Sequence, residues 1–99
     1  MPQKLGQHFL IRGSILERIA AAACPTRQDL VVEIGPGRGA LTEKLLQRAA
    51  RVVAVEVDPG LVEHLRVRFG AASGLEIVDW LTDPEQLFAI TLSRPSPRL

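Results

Sequence analysis

The sequence predicts an α/β fold, a truncated doubly wound sheet of three parallel strands with flanking helices, and three observations carry that prediction. Short β-branched runs alternate with segments of helical period along the chain, the order that gives parallel strands joined by right-handed crossovers. The first run passes straight into a glycine loop, Gly35-Pro36-Gly37-Arg38-Gly39, and the loop into a helix. The second run closes on an acid, Glu56, about twenty residues past the first glycine, the spacing of an adenosine-binding unit.

Each element has its own local reason. Residues 1–13 lack periodicity and read as an arm that turns at Gly6 and Gly13. Ser14 and Glu17 form an S-x-x-E capping box that starts a helix. Ile15, Leu16, Ile19, Ala20 and Ala23 share one face of it, and Pro25 ends it. Leu30–Ile34 is a continuous apolar run interrupted only by Glu33, which suits a strand covered on both faces. Residues 39–50 read as a helix with Leu41, Leu45, Leu46 and Ala49 inward, and Arg51–Glu56 as the second strand. Asp58 and Pro59 supply a cap and a first-turn proline for a helix through Leu61, Val62, Leu65 and Phe69, with Gly70 placed to stop it. Leu75–Val78 is the third strand, and Asp83-Pro84 repeats the start signal for a last, shorter helix.

At 99 residues there is room for one small domain. Three parallel strands leave two long edges unpaired, so residues 1–92 read as the first part of a larger domain. Residues 93–99, with two prolines and two arginines, read as a disordered tail. A single cysteine, Cys24, excludes an internal disulfide and a CxxC metal site and points to a reducing, cytoplasmic setting. No apolar run approaches the roughly 18 residues of a membrane span, so neither membrane nor metal is expected. The formal charge of +1 says nothing of nucleic acid, and the basic ends around Lys4, Arg12, Arg94 and Arg98 read as solvated termini.

Chemistry concentrates in the loop. Glycines between a strand and a helix let the backbone turn tightly and let a ligand touch the main chain. The helix that follows offers unpaired N–H groups to an anion, and Glu56 can accept hydrogen bonds from both hydroxyls of a ribose. Gly35, Gly37 and Ala40 also satisfy the dinucleotide fingerprint G-x-G-x-x-A, so an NAD-type domain stays open. Glu33, two residues before the first glycine, and a capped helix ahead of the first strand favour S-adenosylmethionine. The plainer reading is a tight connection with Glu33 and Glu56 as exposed strand-end acids.

Three motifs in order resemble the ribosomal RNA adenine N6,N6-dimethyltransferases. They are Lys4-Leu5-Gly6-Gln7-His8-Phe9-Leu10, the stretch Val32 to Thr42 reading V-E-I-G-P-G-x-G-x-L-T, and Val55-Glu56-Val57-Asp58. The first is the most discriminating. The resemblance implies a Rossmann-like methyltransferase fold, S-adenosyl-L-methionine as cofactor and small-subunit ribosomal RNA as partner. It implies that His8 and Leu10 line the cofactor pocket from the arm and that Gly35 contacts the methionine portion. Gly37 belongs to the same cofactor-binding loop, and Glu56 binds the ribose. Phe9 reads as a core anchor for the arm, and His64 as a surface residue.

The third strand departs from the family pattern. It ends Val78-Asp79-Trp80 without the usual Gly-Asp pair. Asp79 is therefore open to two roles, acceptor for the adenine amino group or cap of a turn, and Trp80 to two more, stacking on adenine or partial burial in the sheet. The family's catalytic Asn-[Leu/Ile]-Pro-Tyr is absent, because the chain contains no Asn and no Tyr. In the family that tetrapeptide aligns an adenine N6 for attack on the sulfonium methyl, with the base unpaired or flipped. The expectation is a cofactor-binding fragment, truncated or otherwise terminated, that does not turn over alone. Its rivals are an NAD-type domain and a non-catalytic module that holds RNA or a nucleoside.

Overall fold

A computed structural model describes residues 13–71 and 73–93. The arm with His8, Phe9 and Leu10, and the tail from residue 94 onward, lie outside the described residues. Along the chain run helix α1 (Gly13–Ala23), strand β1 (Gln28–Ile34), helix α2 (Ala40–Leu46), strand β2 (Ala49–Glu56), helix α3 (Pro59–Phe69), strand β3 (Leu75–Asp79) and helix α4 (Glu85–Ser93). The strands form one parallel sheet in the order β1-β2-β3.

Strand β2 is the centre because both of its faces are apolar and both are covered. Val52 and Ala54 point into a cluster with Ala20, Cys24, Leu45, Ala49 and Leu75, on the side where α1 and α2 pack. Val53 and Val55 point the other way, against Val78, Leu87 and Ile90. This alternation is the period-2 geometry of a strand. Burying each such aliphatic side chain contributes about 1.5–3 kcal/mol, which explains why the pairing with β1 and β3 forms around this strand. On the second face α4 covers β2 and β3, so β1 leaves Val32 and Ile34 46% and 73% exposed. The continuous apolar run read as a strand covered on both faces is thus covered on the second face only at Leu30, which packs against the cluster of Val53 and Val78.

Local signals set several boundaries. Asp58 caps α3 through Oδ1, which accepts from the Gly60 and Leu61 amides at 2.8 and 3.4 Å, and Pro59 takes the first helical position. Gly70 closes the helix at φ +72°. The capping box at Ser14 did not form as read: α1 already begins at Gly13, with Ser14 inside its first turn. Glu17 turns instead toward Lys44 and Arg48, at 3.6 and 3.9 Å. Such partly exposed pairs contribute little. Helix α2 ends after seven residues, short of the predicted residue 50. Amides of Gln47 and Arg48 close the end on Lys44 and Leu45 carbonyls, and the Gln28 amide donates to the Arg48 carbonyl. That last bond draws Ala49 and Ala50 into the sheet.

The join between loop and α2 depends on Gly39. Its φ is +96°, and a Cβ there would stand 2.6 Å from Phe69 Cε2 and 3.0 Å from Leu65 Cδ2. Helix α3 therefore packs directly on the backbone at the start of α2.

Candidate functional site

In an open parallel sheet, ligands bind beyond the carboxyl ends of the strands. Here those ends are Ile34, Glu56 and Asp79, with Val55 in register with Ile34 and Glu56 with Asp79. The glycine loop leaves from the first of them, and its path is fixed by backbone bonds to β2. The Gly35 amide donates to the Val55 carbonyl at 2.9 Å, and the Gly39 amide to the Pro36 carbonyl at 3.0 Å. Gly35 and Gly37 have φ of +70° and +61°, and a Cβ on either would meet nothing within 4 Å. Their neighbours in the chain leave the space open, so the surface over them can take a ligand.

Glu56 ties the loop to the sheet. It is 5% exposed, and its carboxylate accepts three backbone N–H bonds. Oε1 accepts from Gly37 at 3.2 Å, and Oε2 from Val57 and Asp58 at 3.0 Å each. A carboxylate offers about four acceptor positions, so one remains, on Oε1. Beside it lies a cavity of about 350 Å³ lined by Ile34, Gly35, Val55, Val57, Trp80 and Leu87 together with Glu56. An apolar slot with one carboxylate at its rim matches the shape and chemistry of a nucleoside: flat ring inside, hydroxyls at the edge.

The second acid, Glu33, is 8% exposed, and burial pushes its carboxyl above the ordinary carboxylate range, partly offset by a hydrogen bond from Thr42. Thr42 Oγ1 donates to Glu33 Oε1 at 2.6 Å. Glu33 lines a larger cavity of about 650 Å³ that runs along the other side of the loop past Gly35, Pro36, Gly37, Arg38 and Leu61. Neither acid is the exposed strand-end residue of the plainer reading.

The structure brings Gly35, Gly37 and Glu56 together. Asp79 stands next to Glu56 in the ladder, and its Oδ1 accepts from the Thr82 amide at 3.3 Å, capping the turn that follows β3. The cavity beside Glu56 is lined by Trp80 and not by Asp79. Trp80 is 42% exposed, and its amide donates to the Glu56 carbonyl at 2.9 Å. His64 lies half-buried on α3, beside the exposed Glu63. Sequence reasoning gave no role to Gly39 or Thr42, although both stand within the stretch Val32 to Thr42. A threonine just past a glycine loop was the one available signal. Among the described residues no helix is long and apolar enough to cross a membrane.

Comparison with known proteins places this arrangement. The profile of the family described as ribosomal RNA adenine dimethylase matches residues 2–84. The chain is 56% identical over 72 residues to a probable ribosomal RNA small subunit methyltransferase A of Methanosarcina mazei, covering 73% of this chain and 27% of that protein. It is 46% identical over 86 residues to the ribosomal RNA small subunit methyltransferase A of Dehalococcoides mccartyi, covering 84% and 30%. The chain thus spans less than a third of the length of these curated relatives. Among solved structures it is similar to the 23S rRNA methyltransferase ErmE, with a TM-score of 0.61 at 34% identity, covering 86% of this chain and 32% of that one.

Proposed function

The chain belongs to the ribosomal RNA adenine dimethylase family, and on that premise we propose that it is the S-adenosyl-L-methionine-binding part of an enzyme that methylates N6 of adenines in small-subunit ribosomal RNA. The observation that carries the reading is Glu56, buried where the glycine loop meets an apolar cavity of nucleoside size. Its remaining acceptor position on Oε1 meets one ribose hydroxyl, and the position now taken by the Gly37 amide meets the other. Ile34, Val57 and Trp80 enclose the adenine ring, and stacking on an indole contributes about 1–3 kcal/mol. Gly35 and Gly37 let the methionine portion run against bare backbone toward Glu33, and the family resemblance implies His8 and Leu10, outside the described residues, as further cofactor-binding residues. Asp79, beside Glu56 in the ladder, caps the turn after β3 through Oδ1 and keeps acceptor positions that a ligand amino group reaching past Trp80 could use.

When bound, the cofactor supplies an electrophilic methyl group on a sulfonium that leaves as a neutral thioether. The residues of this chain bind and orient; they do not activate the nucleophile. An adenine N6 lone pair is delocalised into the ring and needs acceptors for its two protons to become aligned. The 99 residues hold no Asn-[Leu/Ile]-Pro-Tyr to provide them, so methyl transfer needs groups beyond these. The setting proposed is cytoplasmic.

Calorimetric titration of the purified chain with S-adenosylmethionine, S-adenosylhomocysteine and NAD tests the reading, with Glu56→Ala alongside. Micromolar-range binding of the first two, abolished by the substitution and not seen with NAD, is expected. A folded chain that binds NAD, or none of the three, overturns it.

A further inference from the structure

The glycine loop is also held from the side of α3. Arg68, in the last turn of that helix, sends both arms of its guanidinium to the place where the loop becomes α2. Nη1 donates to the Arg38 carbonyl and Nη2 to Glu43 Oε1, each at 2.8 Å. The guanidinium lies 5.0 Å from the centroid of the Phe69 ring, and Phe69 is the side chain packed against Gly39. The Arg68 side chain is 35% exposed, so its ion pair with Glu43 is screened and contributes little by itself. The bond to the carbonyl matters more, because of the peptide it holds. The Arg38 carbonyl and the Gly39 amide belong to one peptide unit, and that amide donates to the Pro36 carbonyl at 3.0 Å. Both poles of the unit are occupied, and it cannot rotate without breaking a bond at each.

Two further anchors of the loop lie on β2, the Gly35 amide on the Val55 carbonyl and the Gly37 amide on Glu56 Oε1. Cofactor binding as proposed above removes the second, since a ribose hydroxyl takes the position of the Gly37 amide. Glycine populates left- and right-handed backbone about equally, so φ of +61° at Gly37 and +96° at Gly39 must be held by contacts. We propose that Arg68 is a positioning residue for the cofactor: from α3 it fixes the Arg38–Gly39 peptide, so that the loop keeps its shape while the ligand displaces Gly37 from Glu56. This role rests on the cofactor reading. It differs from general support of the fold because it acts on the loop and on affinity, with the helix that carries Arg68 left intact.

S-adenosylhomocysteine is titrated by calorimetry into the wild-type chain, Arg68→Gln, Arg68→Lys and Arg66→Gln, and amide hydrogen exchange is followed in each without ligand. Arg66 stands on the same helix and pairs at 3.8 Å with Glu63 one turn back, so its substitution removes the same charge from an ion pair within the helix. Arg68→Gln is expected to weaken binding about fivefold to tenfold, as for loss of a charge-assisted hydrogen bond partly open to water. Arg68→Lys should recover only part of this, because one ammonium does not span two acceptors as the planar fork does. Arg66→Gln should stay within about twofold of wild type. In Arg68→Gln the Gly39 amide should exchange faster while the Leu65 amide, inside α3, keeps its protection. A residue that merely stabilised the fold would quicken both and leave the affinity of the folded chain unchanged.

Unchanged affinity in Arg68→Gln overturns the role, as does an equal loss in Arg66→Gln or a Leu65 amide that quickens with Gly39. If Arg68→Gln does not fold, Arg68→Lys and Glu43→Gln carry the test. Arg68→Lys must then bind more weakly than Glu43→Gln, which leaves the bond to the Arg38 carbonyl in place, and the reverse order overturns the role. A wild-type chain that does not bind S-adenosylhomocysteine defeats the cofactor reading and the Arg68 role with it. A wild type that binds, with Arg68→Gln its equal, defeats the Arg68 role alone.

Discussion

Replacing Gly39 by alanine tests the packing argument at its tightest point. Two terms oppose the substitution. At φ +96° a residue with a Cβ is strained by about 1–3 kcal/mol. The new methyl would also stand 2.6 Å from Phe69 Cε2 and 3.0 Å from both Phe69 Cζ and Leu65 Cδ2. Leu65 is fully buried, so it has little room to yield, and overpacking of this kind costs about 1–3 kcal/mol. One term favours alanine: the unfolded chain loses freedom, which returns about 0.4–1 kcal/mol. The net expectation is a loss of about 2–4 kcal/mol, or roughly 10–25 °C in Tm for a domain of this size. Gly35→Ala is the control, because φ is +70° but nothing lies within 4 Å of its Cβ. It should lose about 1 kcal/mol, from strain alone. Urea unfolding followed by circular dichroism reads both variants on one scale. If Gly39→Ala is no more destabilising than Gly35→Ala, the contact with Phe69 and Leu65 is not a constraint and the reasoning fails.

Three further outcomes follow from the site. Burial raises the Glu33 carboxyl in the folded state, so folding favours its protonated form. Stability linked to this group is fully present below the ordinary carboxylate range and is lost as pH rises through the folded value. Glu33→Gln should therefore be more stable than wild type at pH 7 and equal to it near the acid end of the folded range; a larger gap in acid than at neutrality would refute the sign. Trp80 is the chain's one tryptophan, so intrinsic fluorescence reports on the cavity beside Glu56. S-adenosylhomocysteine should change its emission, and Trp80→Ala should weaken binding by about 1–3 kcal/mol; an unresponsive indole places the ring elsewhere. Because Glu56 has one acceptor position left, ribose binding should release the Gly37 amide from Oε1. Its hydrogen exchange should quicken, or its amide shift move, while the Gly35 amide on the Val55 carbonyl stays fixed.

Much of this architecture was legible because it is written locally. Asp58-Pro59 and Gly70 start and stop α3 by their own side-chain and backbone chemistry. The three strands show as β-branched runs whatever surrounds them. What could not be read depends on contacts between distant residues. Helix α2 stops at Leu46 because the Arg48 carbonyl is taken by Gln28, twenty residues earlier. Ser14 and Glu17 have the spacing of a capping box, yet Glu17 answers to charges on another helix. Asp79 was a choice between ligand acceptor and turn cap, and its bond to the Thr82 amide is a matter of how the chain leaves the sheet. The hydroxyl of Thr42 found its acceptor across the loop, which no helical periodicity encodes. Val32 and Ile34 look like core residues in a linear reading, and only the placement of α4 reveals them as uncovered.

That uncovered strip on β1 has a colloidal consequence. Among the described residues β1 pairs on one side only, so its outer edge offers a row of backbone donors and acceptors next to two bare aliphatic side chains. Unpaired edges of this kind template the addition of further strands, and a formal charge of +1 provides almost no long-range repulsion to hold chains apart. Solutions of the chain should show a negative second virial coefficient that becomes less negative when Val32 is replaced by lysine. Light scattering across a concentration series would then read, as attraction between molecules, the same geometry that leaves one side of the sheet open.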